Sequence, residues 1–225
     1  MINGRAMARE SKEARAARFS QVLDRLERAM PEARIALEYQ DELQLLVSVM
    51  LSAQCTDAVV NTVTPALFAR HPTAAGYARS TPAKIGEQIK RVGLWRGKAK
   101  NLHAAMTIIQ REHGGRIPRS REALRELPGV GWKTAGVVVN HAFGTPAFPV
   151  DTHVGRVARR LGLTGEEHPD KVERDLTALL PPERWGRGHQ LLIWHGRRTC
   201  DSRKPHCSRC AVADLCPRRG VKGSD

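Results

Sequence analysis

Leu127-Pro128-Gly129-Val130-Gly131-Trp132-Lys133-Thr134-Ala135-Gly136, running on into Val137-Val138-Val139, is the stretch from which the rest of this chain can be read. Arg121 to Glu126, opened by the capping residue Ser120, reads as a short helix, and Trp132 to Phe143 as a second. Pro128 to Gly131 then forms a tight connection between two helices. Glycines 129 and 131 permit backbone angles that other residues resist and keep side chains away, so peptide N–H groups can approach a ligand closely. The partial positive charge of a helix start falls on the same spot, which suits a phosphate. Such a turn taken alone is only a turn; Lys133 adds the chemistry. It falls in the first turn of the second helix, where the dipole favours an amine over an ammonium, and a lysine so placed is a candidate nucleophile. The plain alternative is a solvated surface lysine.

Composition agrees. A chain of 225 residues, 41% hydrophobic, can bury one good core or two small ones, and no run approaches a membrane span. Thirty-seven Lys and Arg against 23 Asp and Glu leave a formal charge of +14, which favours a polyanionic partner, nucleic acid first. The first 18 residues are charged and alanine-rich with no apolar core, so a secretory leader is not expected; Arg5, Arg9, Arg15 and Arg18 read as a solvated tail entering a first helix, about Glu13 to Met30, ended by Pro31.

The cysteines are lopsided. Cys55 stands alone and reads as a small buried hydrophobe, whereas Cys200, Cys207, Cys210 and Cys216 form C-x6-C-x2-C-x5-C. Four clustered thiols without a secretory leader are expected to bind metal rather than pair as disulfides. Zinc and a [4Fe–4S] cluster both accept four thiolates, but structural zinc usually pairs two short knuckles, and here only Cys207 and Cys210 make one.

Along the rest of the chain every segment has helical period. Leu43, Leu46, Val47, Met50 and Leu51 make an apolar stripe after Asp41, and Thr56 or Asp57 caps a helix carrying Val59, Val60, Val63 and Leu67. Thr81-Pro82 opens a helix expected to run through Ile85, Ile89 and Val92 to Gly93. Leu94-Trp95-Arg96-Gly97-Lys98 then sets an apolar pair beside a basic run, suited to insertion into a base stack while Lys98 holds a phosphate. Packing of the pair into the core is the competing reading. Asp151 precedes a helix with Val154, Val157, Ala158 and Leu161, as an N-cap would. Closing helices over about Pro169 to Leu180 and Pro182 to Arg198 lead into Cys200. No strand-period segment is long enough to build a sheet, so an all-α fold is expected.

Leu127 to Ala135, taken with Val150-Asp151-Thr152-His153-Val154, resembles the helix-hairpin-helix DNA glycosylases of the endonuclease III family, and the resemblance spans about Leu43 to Cys216. It implies two helical domains flanking a DNA-binding cleft: residues 35–145 as an inserted helical barrel, and 1–34 with 146–225 around a C-terminal [4Fe–4S] loop held by the four cysteines. It also implies roles. Lys133 would be the nucleophile and Asp151 its carboxylate partner; Gln54 would fill the gap left by an extruded nucleotide and Leu94 would wedge opposite it. Trp95, Lys98, Gly129, Val130, Gly131, Trp132 and His153 would lie against DNA.

The implied activity is base-excision repair: removal of oxidised pyrimidines from duplex DNA through a Schiff base, with cutting 3′ to the abasic site by β-elimination. The partner would be double-stranded DNA carrying damaged pyrimidines or abasic sites, the protein a monomer, and the setting the cytoplasm around a bacterial-type nucleoid. Three positions depart from the family: Trp132 where arginine is frequent, Gly136 where asparagine is common and Cys55 where alanine is common. Three other readings compete: a monofunctional adenine glycosylase, from which Lys133 separates this chain; a non-catalytic DNA-binding or redox module; and a zinc-stabilised structural protein.

Overall fold

A computed structural model describes residues 10–225, so Arg5 and Arg9 of the basic N-terminal segment lie outside the described residues. The described chain is helical throughout and has no strand. It divides into two compact units, Ile35–Pro149 and a second that joins the segment ending at Arg34 to Val150–Asp225.

The second unit begins with α1 (Lys12–Ala29), N-capped by Ser11, which buries Phe19, Val22, Leu23 and Leu26 along one stripe. The Ile35–Pro149 unit carries α2 (Glu42–Ser52), α3 (Asp57–Arg70), α4 (Ala74–Ala78), α5 (Pro82–Gln88), α6 (Trp95–Glu112), α7 (Arg121–Arg125) and α8 (Trp132–Phe143). Helix α2 is its axis. Asp41 caps it, every residue from Leu45 to Leu51 is buried, and it packs against α3, α6 and α8. A helix apolar on all sides has to be central, and each such Leu or Val is worth roughly 1.5–3 kcal/mol of burial. Thr56, Thr81 and Ser120 cap α3, α5 and α7 with their hydroxyls.

Two helices end sooner than periodicity suggests. Helix α5 stops at Gln88 because the chain tightens into turns, Ile89 N–H bonding Gly86 and Val92 N–H bonding Ile89, which sends both Ile89 and Val92 inward. After α9 (Thr152–Arg160), α10 (Pro169–Thr177) closes before Leu180, and Pro182–Arg184 form a 3-10 turn before α11 (Trp185–Arg198). Helices α9 and α11 pack together, α1 packs on α11, and paired ions fasten the joint: Arg187 grips Glu27 with Nε and Nη2 at 2.5 and 2.6 Å. The indole N–H of Trp194 bonds the Arg34 carbonyl at 2.8 Å.

Candidate active site and cysteine loop

The hairpin is built by its own sequence. Val130 N–H bonds the Leu127 carbonyl at 3.0 Å, and both side chains are buried, which anchors the turn in the core. Gly129 has φ 79°, and a Cβ there would stand 2.8 Å from the Asn101 Cβ, so glycine is required by both angle and space. Gly131 caps α8 without a side chain, and Lys133 is exposed in its first turn. Trp132 is half-buried beneath two guanidinium groups, Arg121 at 3.9 Å and Arg125 at 5.9 Å from the ring centre.

Beside the hairpin, the Leu94-Trp95 pair is split. Leu94 is 65% exposed in left-handed backbone, whereas the Trp95 indole packs so closely on α5 that a Cβ on Gly86 would lie 2.8 Å from it. Trp95 is thus largely a packing residue, with Arg96 stacked 4.2 Å from its ring. Lys98 corrects the expectation of a phosphate ligand. It is 9% exposed, and its ammonium donates to the Leu51 carbonyl at 2.8 Å, because its place on α6 faces the end of α2 rather than solvent. Burial holds its pKa below the usual lysine range. Gln54 is exposed, also in left-handed backbone, and Cys55 is half-buried against the core.

In the other unit Asp151 caps α9, its Oδ1 accepting from Val154 N–H at 2.8 Å. His153 follows, with Nδ1 3.1 Å from Arg156 Nη2. Arg156 also donates to the carbonyls of Gly196 and Cys200, which ties the start of α9 to the cysteine loop.

Cys200, Cys207, Cys210 and Cys216 all line one cavity with Val157, Leu161 and Val212. None is in a disulfide. Burial raises the thiols of Cys210 and Cys216. Among the described residues no three His, Cys, Asp or Glu side chains converge as ligands of one metal ion. Arg160, 8% exposed, frames this loop: it donates to the carbonyls of Asp201 and Ser202 at 2.5 and 2.8 Å and to Cys200 Sγ at 3.3 Å, while its own carbonyl accepts from Arg219 N–H at 3.1 Å. Sequence reasoning passed over Arg160 and Arg121, since an arginine in a helix turn reads as a solvated cation.

Comparison with known proteins places these features together. Residues 47–182 match the family model for HhH-GPD superfamily base excision DNA repair proteins. The chain is 47% identical to endonuclease III of Synechocystis over 201 residues, covering 89% of this chain and 92% of that one, and 39% identical to endonuclease III of Escherichia coli strain K12, covering 87% and 93%. A solved structure of a trapped endonuclease III–DNA covalent intermediate, an estranged-adenine complex, superposes with a TM-score of 0.86 at 38% identity, covering 90% of this chain and 96% of that one. A thermostable thymine-DNA glycosylase superposes at 0.79 and 26% identity, covering 91% and 95%. With its hairpin, its lysine and its four-cysteine loop in one chain, this protein belongs to the endonuclease III family within the HhH-GPD superfamily of base-excision DNA repair proteins.

Proposed function

We propose that this protein is a bifunctional DNA glycosylase and AP lyase that removes oxidised pyrimidines from duplex DNA. The observation that carries the reading is Lys133: an exposed amine in the first turn of α8, directly after the glycine hairpin, in a chain similar over nine-tenths of its length to a structure of endonuclease III covalently trapped on DNA. The hairpin and the start of α8 hold a backbone phosphate through peptide N–H groups. Gln54 and Leu94, both projecting from left-handed turns, occupy the space of the extruded nucleotide and its orphaned partner.

The chemistry follows from two groups. The Lys133 amine attacks C1′ of the extruded deoxyribose; the bond from C1′ to the base breaks, and the electron pair leaves with the base, which takes up a proton. The attacking nitrogen loses a proton to the Asp151 carboxylate, and the sugar ring opens to give an imine. The Asp151 carboxylate, fixed in place by the Val154 N–H at 2.8 Å, also steadies the positive charge that grows on the sugar. The imine acidifies C2′; loss of that proton expels the 3′ phosphate by β-elimination, and water then releases the lysine. Both groups must meet at one deoxyribose for this sequence to run.

The four cysteines line one cavity, and their C-x6-C-x2-C-x5-C spacing, with only Cys207 and Cys210 forming a short knuckle, fits a [4Fe–4S] cluster better than one zinc ion. Bound there, the cluster would supply four metal–thiolate bonds that hold the loop in shape. The loop's cations, Arg203, Lys204, Arg209, Arg218 and Arg219, would then present a fixed basic surface to the DNA backbone. The partner would place the protein with the nucleoid; none of its described helices is long and apolar enough to cross a membrane.

Borohydride reduction in the presence of an oxidised-pyrimidine duplex tests the reading. A covalent protein–DNA adduct is expected from the wild type and none from Lys133→Gln; absence of an adduct on every oxidised-pyrimidine and abasic duplex overturns it. Purified protein should be brown, with a visible charge-transfer band; colourless protein with stoichiometric zinc overturns the cluster assignment.

A further inference from the structure

Gln54 at φ 53° and Leu94 at φ 58° are the two non-glycine residues of Ile35–Pro149 with positive φ among the described residues. Neither side chain suits left-handed backbone, so each turn is strained, and strain of this kind persists only where the surroundings over-determine it. One residue, Lys98, bridges both turns. The backbone N–H of Lys98 donates to the Leu94 carbonyl at 3.1 Å, closing the first turn of α6, and its buried ammonium donates to the Leu51 carbonyl at 2.8 Å, at the end of α2 just before Gln54. The two turns are also close neighbours, since a Cβ on Gly93 would lie 3.6 Å from the Gln54 carbonyl oxygen. Between them lies a cavity lined by Met50, Ala53, Leu94, Gly97 and Lys98.

We propose that Lys98 is a positioning residue that latches the Gln54 and Leu94 turns into one rigid two-pronged probe, and that it acts on the opening of the duplex rather than on the chemistry at the sugar. The inference rests on the glycosylase and lyase reading above. An ammonium fits the task because it donates a short, charge-assisted bond to a helix-terminal carbonyl, where the helix dipole favours a cation. Its desolvation is the cost of a latch that does not yield to water. Without it, each turn can relax out of the left-handed region independently, and insertion into the stack has to order the turns anew for every lesion.

Two duplexes separate this role from general stability. In the first, the oxidised pyrimidine is paired with a purine that must be unpaired and displaced. In the second, an abasic site faces a second abasic position, so there is no pair to open. Lys98→Met, which keeps the apolar stem, is expected to slow single-turnover cleavage of the first duplex about tenfold or more, equivalent to about 1.4 kcal/mol. On the second it should change the rate by less than about twofold. Lys98→Arg, which keeps a donor, should show a smaller loss of the same kind, and it carries the test if the methionine variant does not fold. Combining either variant with Gln54→Ala and Leu94→Ala should cost nothing further on the first duplex. Equal loss on both duplexes, no loss on the first, or full additivity with the probe substitutions would overturn the latch. Wild-type protein inactive on both duplexes would instead overturn the enzymatic reading, and the latch with it.

Discussion

The guanidinium of Arg121 lies 3.9 Å from the centre of the Trp132 indole, and its Nε donates to the Trp132 carbonyl at 3.1 Å. Against the same guanidinium lies Gly136, one turn further along α8, where a Cβ would stand 2.9 Å from the guanidinium carbon. Two of the three positions that depart from the family pattern therefore belong to one arrangement: tryptophan supplies the face on which the arginine lies, and glycine leaves it room. The arrangement sits on the first turns of the helix that carries Lys133 and adds cationic charge there.

That arrangement can be measured as a cycle. Arg121→Ala should destabilise the protein by about 1 kcal/mol, the usual worth of a part-buried cation–π pair. Gly136→Ala alone should be near neutral, because about 0.5–1 kcal/mol gained by removing a helix-interior glycine offsets displacement of the guanidinium. In the Arg121→Ala background the same change should stabilise outright by about 0.5–1 kcal/mol. Urea midpoints of the four proteins test it; purely additive values would show that the guanidinium does not occupy that space.

Leu94 carries a second prediction, in which stability and function move in opposite directions. Its left-handed backbone costs a leucine about 1–2 kcal/mol, while glycine adds about 0.5–1 kcal/mol of unfolded-state entropy. Leu94→Gly should therefore be neutral or more stable by up to about 1 kcal/mol, since the residue is 65% exposed and little burial is lost with its side chain. The same protein should excise a paired lesion much more slowly than wild type. Thermal melting and single-turnover excision together decide the matter, and a variant that is less stable yet fully active would contradict it.

Arg160 governs the cysteine loop. Its guanidinium satisfies carbonyls of Asp201 and Ser202 and touches Cys200 Sγ, so Arg160→Met should strand these acceptors and cost about 2–3 kcal/mol. The loop should loosen before the rest of the chain does. Faster proteolysis after Arg203, Lys204 or Arg209, together with a weaker visible absorption, is the expected result; an unchanged cleavage pattern would show that the loop holds itself.

Acid stability should depend on His71. The ring is buried, its Nδ1 lies 3.2 Å from the Gly76 carbonyl and its Nε2 3.2 Å from the Gln88 amide nitrogen, a pattern met by the neutral ring donating from Nδ1 and accepting at Nε2. Burial lowers its pKa below the ordinary 6.5, and burial acts the same way on His141. A lowered folded-state pKa means that the unfolded chain takes up the proton first. Stability is then complete above about pH 6.5 and is lost as pH falls through the folded-state values. Denaturant midpoints at pH 8 and pH 5 should differ less for His71→Gln than for the wild type.

Most helix starts were readable locally. Ser120, Thr81, Asp151, Thr56 and Asp41 announce helices because a cap bonds an N–H only two or three residues on, and the all-helical fold follows from apolar spacing within single turns. Helix ends were less legible. Helix α5 gives way to turns at Ile89 because two side chains are drawn into the core, a demand that no neighbour in sequence expresses.

By itself, then, the sequence determined the all-helical class and most helix starts, the glycine hairpin with Lys133 at its exit, the capping Asp151 and the grouping of four cysteines, all of which depend on spacings short enough to read along the chain. Tertiary structure alone decided which cations face inward. Lys98 bonds Leu51, 47 residues away, and Arg160 bonds Ser202, 42 residues away. Nothing in either residue's neighbourhood marks it as different from a solvated lysine or arginine. The reason is that a long basic side chain takes its role from the acceptor it can reach, and that acceptor is brought within reach only when distant helices pack.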